Sequence, residues 1–141
     1  MLKAAAEAAA EAGPKRPRIV AVTVLTSLDD DDLAAVGQTG PASEQVLRLA
    51  RLAEASGIDG VVCSPQEVAL LRGEIGDGFA LVVPGVRPDW AGADDQKRVM
   101  TPGEAVAAGA DYLVIGRPIT RSDDPVGAAR RIADEISKSS A

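Results

Sequence analysis

The chain has 141 residues, a net charge of −6 and a pI near 4.6; 46% of its residues are hydrophobic and only 2% aromatic. That apolar share supports a buried core and argues against wholesale disorder, and the core must be built from Val, Leu, Ile and Ala. The negative charge and the scarcity of aromatic rings disfavour a phosphate-backbone footprint and base-stacking platforms, so nucleic acid is not the expected partner.

Residues 1–11 are rich in Ala and Glu and predict a helix, within an N-terminal segment 1–12 closed by Gly13 and Pro14. So short a helix needs a surface to pack on. Residues 18–25 are mostly Ile, Val and Ala and predict a buried strand. Four aspartates at 29–32 then stand before Leu33 and predict a capped short helix over 33–36. Four consecutive carboxylates cannot all face one ion, so no metal site is expected there. Residues 43–56 place Val46, Leu47, Leu49 or Ala50, Leu52 and Ala53 at helical spacing, stopped by Gly57. A short strand follows at 60–64, a helix begun by Pro65 runs to Ile75, and a third strand spans 79–86. Residues 88–96 are a loop carrying Trp90, either a lid contact or plain packing. Thr101-Pro102-Gly103-Glu104 has the spacing of a capping box, and its helix ends at Gly109. Residues 112–115 predict a fourth buried strand, broken at Gly116. Asp124-Pro125 opens a last helix reaching about residue 138.

Strands alternating with helices imply a parallel βα repeat of the α/β class, in one domain over residues 1–141. A (β/α)8 barrel takes roughly 250 residues, so four βα units amount to half of a TIM barrel. The chain contains no histidine, which removes His triads, His metal ligands and a His general base. Its one cysteine, Cys63, allows no disulfide within the chain and reads as a small core residue. No apolar stretch reaches the roughly 20 residues that span a bilayer, and no signal-peptide core stands at the N-terminus. The expected location is the cytoplasm, with no membrane partner.

Two strands end alike. The third runs into Pro84-Gly85-Val86-Arg87-Pro88 and the fourth into Gly116-Arg117-Pro118. Glycine lets a ligand approach the backbone. Proline cannot continue a central strand. Arg87 and Arg117 are thereby expected at one rim of the sheet, where guanidinium forks suit a phosphate and stay charged at any working pH.

Five blocks, V-T-V-L-T-S (22–27), D-G-V-V-C-S (59–64), V-P-G-V-R-P (83–88), D-Q-K-R-V-M-T-P (95–102) and Y-L-V-I-G-R-P-I-T (112–120), resemble orotidine 5'-phosphate decarboxylase in order and spacing. They correspond to strands five to eight of that family's barrel and cover essentially the whole chain. The resemblance implies a TIM barrel, paired as a homodimer, that converts orotidine 5'-phosphate to UMP and CO2 with neither metal nor cofactor. It implies that Gln96 and Arg117 hold the 5'-phosphate beside the Gly116 N–H, that Arg87 lies at the same rim, and that Thr26 contacts the nucleotide. It also exposes a departure. The family's D-x-K-x-x-D motif, with a further lysine and aspartate, belongs to the N-terminal half of the barrel and has no counterpart here. The one echo, Asp95-Gln96-Lys97-Arg98-Val99-Met100, ends in methionine and lies in the phosphate block. No catalytic residue is therefore assigned, and the chain alone is expected to be inactive. The expected partners are the nucleotide and either the missing N-terminal half or further copies of this chain. A non-catalytic, self-assembling half-barrel that binds phosphate or a nucleoside monophosphate is the alternative reading. Another phosphosugar enzyme of the same barrel group is a third, but it would share only the Gly-Arg rim.

Overall fold

The computed structural model describes residues 1–91 and 99–139. Its framework is a four-stranded sheet of β1 (Val20–Val22), β2 (Gly60–Val62), β3 (Ala80–Pro84) and β4 (Tyr112–Val114), in the order β1-β2-β3-β4 with every pairing parallel. Between and around the strands lie α1 (Leu2–Ala10), α2 (Asp30–Ala35), α3 (Ala42–Ala55), α4 (Val68–Ile75), α5 (Pro102–Ala107), α6 (Arg117–Thr120) and α7 (Pro125–Ser139). Consecutive parallel strands joined through helices form the half-barrel that the βα repeat predicts.

The register sorts the strand residues into two faces. Val61 and Leu81 pair in one row, and Val83 pairs with Leu113 in another. This face carries the core: Val61, Leu81 and Val83 are fully buried with Val46, Ala50 and Ala53 of α3, Val68 and Leu71 of α4, and Ala105 of α5. Leu2 and Ala6 of α1 pack against the same cluster, which supplies the surface that a short alanine-rich helix requires. The opposite face holds the row Val22, Val62, Val82 and Tyr112, with Val20 and Val114 beside it.

That second face corrects one expectation. The apolar runs at 18–25 and 112–115 predict strands buried on both sides, yet Val22 is 59% exposed, Tyr112 50% and Val114 51%. The helices cover one face only, and no described element lies over the other. The regular strands are also shorter than the apolar runs. Ser64, for example, has left β2 and accepts a hydrogen bond from the Gln66 N–H in the turn before α4.

Local chemistry explains the element boundaries. The aspartate run starts α2 earlier than expected: Asp29 caps it, Oδ1 accepting from the Asp32 N–H at 3.0 Å while Asp32 Oδ2 accepts from the Asp29 N–H at 3.0 Å. Thr101 and Glu104 close the expected capping box on α5. Gly60 is required by contact, since a Cβ there would lie 2.2 Å from the Ala80 carbonyl oxygen across the β2–β3 pair. Gly85 is required by conformation, at φ +79°.

Two aspartates stitch the sheet at the N-terminal ends of its strands. Asp59, just before β2, accepts from the Ile19 N–H at 2.8 Å and pairs with Arg16. Asp111, just before β4, accepts from the Leu81 N–H at 2.7 Å and pairs with Arg72. Arg72 also donates to the carbonyls of Gly109 and Phe79, at 2.8 and 2.7 Å. These clasps lie at the opposite end of the strands from the Gly-Arg motifs.

Candidate phosphate and nucleotide site

The residues singled out in the sequence reach the C-terminal rim of the sheet by different routes. β4 ends at Val114, and Gly116 caps α6 rather than extending the strand, so Arg117 is the first residue of a short helix with Pro118 buried behind it. Proline suits this place because its missing N–H would be unpaired in the first turn anyway. Gly116 is exposed, and a Cβ built on it meets no described residue within 4 Å. Among the described residues the backbone there fronts open space.

Arg117 lines a hollow of about 370 Å³ together with Trp90, Ala91, Pro118, Arg121, Ser122 and Asp123. Arg121 follows Arg117 by four residues, one helical turn on, and brings a second guanidinium to the same hollow. Two cations against the one carboxylate of Asp123 leave the lining net positive, which favours an anion of phosphate size over a neutral ligand. The spacing from Arg117 to Arg121 is visible in the sequence, but reading residues 112–120 as strand and loop hides its helical meaning.

Arg87 is placed differently. Only 7% of its surface is exposed, its Nη1 donates to the Val86 carbonyl at 2.8 Å, and its backbone N–H donates to Met100 O at 2.9 Å. A parallel bridge between Val86 and Met100 holds this corner. Arg87 does not line the hollow around Arg117. Thr26 is 8% exposed and lies in a separate, more apolar hollow of about 270 Å³, with Val22, Val24, Leu25, Ser27, Val62, Cys63 and Pro84. This second hollow opens on the uncovered sheet face at the ends of β1 and β2. The rim thus offers a cationic concavity after β4 and an apolar one after β1. Gln96 lies outside the described residues, as do Asp95 and Lys97.

Trp90, left open between two roles, is shared by several concavities. Besides the hollow of Arg117 it lines one with Ser122, Asp124, Gly127, Ala128 and Arg131 along α7. The Arg131 guanidinium carbon stands 4.7 Å from the centre of its ring. Among the described residues no group of three or more His, Cys, Asp or Glu side chains is arranged to hold a metal ion, and no helix is long and apolar enough to cross a membrane.

Comparison with known proteins bears on the family and the fold. The profile described as "Orotidine 5'-phosphate decarboxylase / HUMPS family" matches residues 1–132. The orotidine 5'-phosphate decarboxylase of Rhodospirillum rubrum is 58% identical over 140 residues, covering 96% of this chain and 57% of the relative. The enzyme of that name from a Geobacter species is 58% identical over 121 residues, covering 86% of this chain and 50% of the relative. Among solved structures, the Lactobacillus acidophilus orotidine 5'-phosphate decarboxylase superposes with a TM-score of 0.79 at 41% identity, over 96% of this chain and 58% of its own. The chain spans about half the length of the curated relatives it matches. With parallel βα units in sequential order, a cationic rim after the last strand and a profile match over nearly its whole length, the chain belongs to the orotidine 5'-phosphate decarboxylase / HUMPS family.

Proposed function

We propose that this chain is the phosphate- and nucleotide-binding half of an orotidine 5'-phosphate decarboxylase, a single half-barrel unit that does not decarboxylate by itself. The observation that carries the reading is Arg117, which lines a hollow of about 370 Å³ directly after the last strand, next to a glycine whose surroundings are open among the described residues. In this reading Arg117 and the Gly116 N–H take the 5'-phosphate, and Gln96 and Arg87 complete its surroundings. Thr26 meets the pyrimidine nucleotide at the β1 end. The substrate is orotidine 5'-phosphate and the product is UMP, handled in the cytoplasm without metal or cofactor. Binding energy gained on the non-reacting phosphate is used at the pyrimidine, so the rim serves the chemistry from a distance. The D-x-K-x-x-D array that would carry that chemistry has no counterpart in the sequence.

The test is a pair of calorimetric titrations. UMP binds and uridine, lacking the phosphate, binds far less. Arg117→Ala removes most of the UMP affinity, since a charge-assisted bidentate contact contributes about 1.5–3 kcal/mol. Equal titrations for UMP and uridine, or an Arg117→Ala variant that binds like the parent, overturn the reading. A decarboxylase assay separates the halves of the proposal. The chain alone gives no turnover, and adding the unmatched N-terminal half of the Rhodospirillum rubrum relative in trans restores some. Turnover by the chain alone that Lys97→Ala abolishes would make Lys97 catalytic. A soluble N-terminal half that binds the chain and leaves it inactive would show the two parts not to be complementary. The alternative, a non-catalytic half-barrel that assembles with copies of itself, is favoured by one observation, the apolar sheet face on which Val22, Tyr112 and Val114 remain half exposed.

A further inference from the structure

Trp90 is the only tryptophan in the chain and stands where two elements meet the cationic hollow. It is carried by the segment leaving β3, three residues beyond Arg87. The turn around it is closed by the Ala91 N–H donating to Pro88 O at 2.9 Å. One side of the indole borders the hollow of Arg117 and Arg121. Arg131 of α7 stacks on the ring, 4.7 Å from its centre. A guanidinium over an indole face is held by the ring quadrupole and is favoured over the other aromatic pairings. α7 is itself tied down: Glu135 Oε1 accepts from the Gly103 N–H of α5 at 2.9 Å, and Ala128 and Ile132 are buried. α7 also packs against α6, the helix that Arg117 opens. A continuous path thus runs from α6 through α7 and Arg131 to the indole that walls the hollow.

We propose that Arg131 is a positioning residue for the anion site, fixing Trp90 as a wall of the Arg117–Arg121 hollow. It touches no ligand. The stack ties the segment after β3 to α7, against which α6 packs, and both the segment and α6 line the hollow. Without it the indole swings from α7, the hollow widens on the Trp90 side, and the two guanidinium groups face a wetter space in which their pull on an anion is weaker. The effect belongs to the charged end of the ligand alone. This inference rests on the phosphate reading of that hollow.

The test uses the 141-residue chain with UMP and uridine as probes and the emission of Trp90 as a local reporter. Arg131→Ala weakens UMP binding about two- to fivefold, the span expected for an exposed cation–π contact. It leaves uridine binding unchanged and makes Trp90 emission red-shifted and more readily quenched. Arg131→Lys, which keeps a cation over the ring, falls between parent and alanine variant. Arg130→Ala, at an exposed position of the same helix, behaves as the parent. An Arg131→Ala chain that binds UMP as the parent does, or that loses UMP and uridine in equal proportion, overturns the proposal. So does an Arg131→Lys chain no better than Arg131→Ala. A parent chain that itself fails to bind UMP overturns the phosphate reading, and the parent titration alone reveals that case.

Discussion

At the scale of single residues, the sheet depends on side chains that bond backbone. Asp59 shows how. The Ile19 N–H and then the Arg16 guanidinium hold its carboxyl below the ordinary value of 3.8. A carboxyl whose folded pKa lies below its unfolded one contributes stability that is present above the unfolded pKa and is lost as pH falls through the folded value. Asp59→Asn is therefore expected to be less stable than the parent at neutral pH, with the difference shrinking as the pH falls below about 4. Denaturant unfolding followed by circular dichroism between pH 7 and 2.5 measures it; a stability difference that stays constant over that range would show that the Asp59 charge has no part in the clasp. The two rim arginines make the same point for the site. Arg87 and Arg117 occupy matching motifs, but Arg87 is buried with its Nη1 on a backbone carbonyl, whereas Arg117 reaches the hollow.

At the scale of elements, α5 is a six-residue helix, too short to persist on its own. Two things keep it: its N-terminal box and its packing on α7. Thr101 Oγ1 accepts from the Glu104 N–H at 3.3 Å, and Glu104 Oε2 accepts from the Thr101 N–H at 2.9 Å. Those bonds to Thr101 also hold the Glu104 carboxyl below its ordinary value. Thr101→Ala is expected to lower global stability by about 1 kcal/mol, and Thr101→Ser to recover most of it. Chemical denaturation midpoints of the three chains check this; an alanine variant as stable as the parent would leave packing on α7 as the sole support of α5. The same helix pair underlies the Trp90–Arg131 contact, so a weakened α5 is also expected to loosen the indole from α7.

At the scale of the whole molecule, the sheet has one face packed and one open. Val22, Tyr112 and Val114 stand half exposed on the open side, and β1 and β4 are edge strands at either end of the order. Apolar surface stabilises by about 25 cal/mol per Å² when buried, and unpaired parallel edges invite pairing. Two copies joined β4 to β1 about a two-fold axis would close an eight-stranded sheet and remove both edges. The chain on its own is therefore expected to sediment as a species heavier than its 14.4 kDa protomer at micromolar concentration. Val22→Lys and Val114→Lys, on the open face, are expected to shift it toward the monomer with little change in helical signal. A well-folded monomer in the parent would refute this arrangement. An N-terminal half added in trans would compete for the same face.

The order of elements was legible in the sequence because it is written locally. Apolar runs of four to eight residues, glycine and proline stops and the Thr101–Glu104 spacing each act over a few neighbours, and they place four strands and the helices between them. The place of Arg117 at the end of the last strand was legible for the same reason, since Gly116-Arg117-Pro118 sits directly behind an apolar strand. What lies across the chain was not. A run such as Tyr112-Leu113-Val114-Ile115 is apolar at every position and carries no sign of which face is covered. Only the sheet register, with helices on one side, leaves Tyr112 and Val114 exposed while Leu81 and Val83 of β3 are buried on the covered face. Nothing near Trp90 in sequence announces Arg131, nor does anything near Ile19 announce Asp59, because each contact joins residues that are adjacent only once the parallel strands and their helices have been stacked. Local propensity determined the elements; the tertiary packing decided that Arg117 rather than Arg87 reaches the hollow, that Trp90 walls it, and which sheet face is left open.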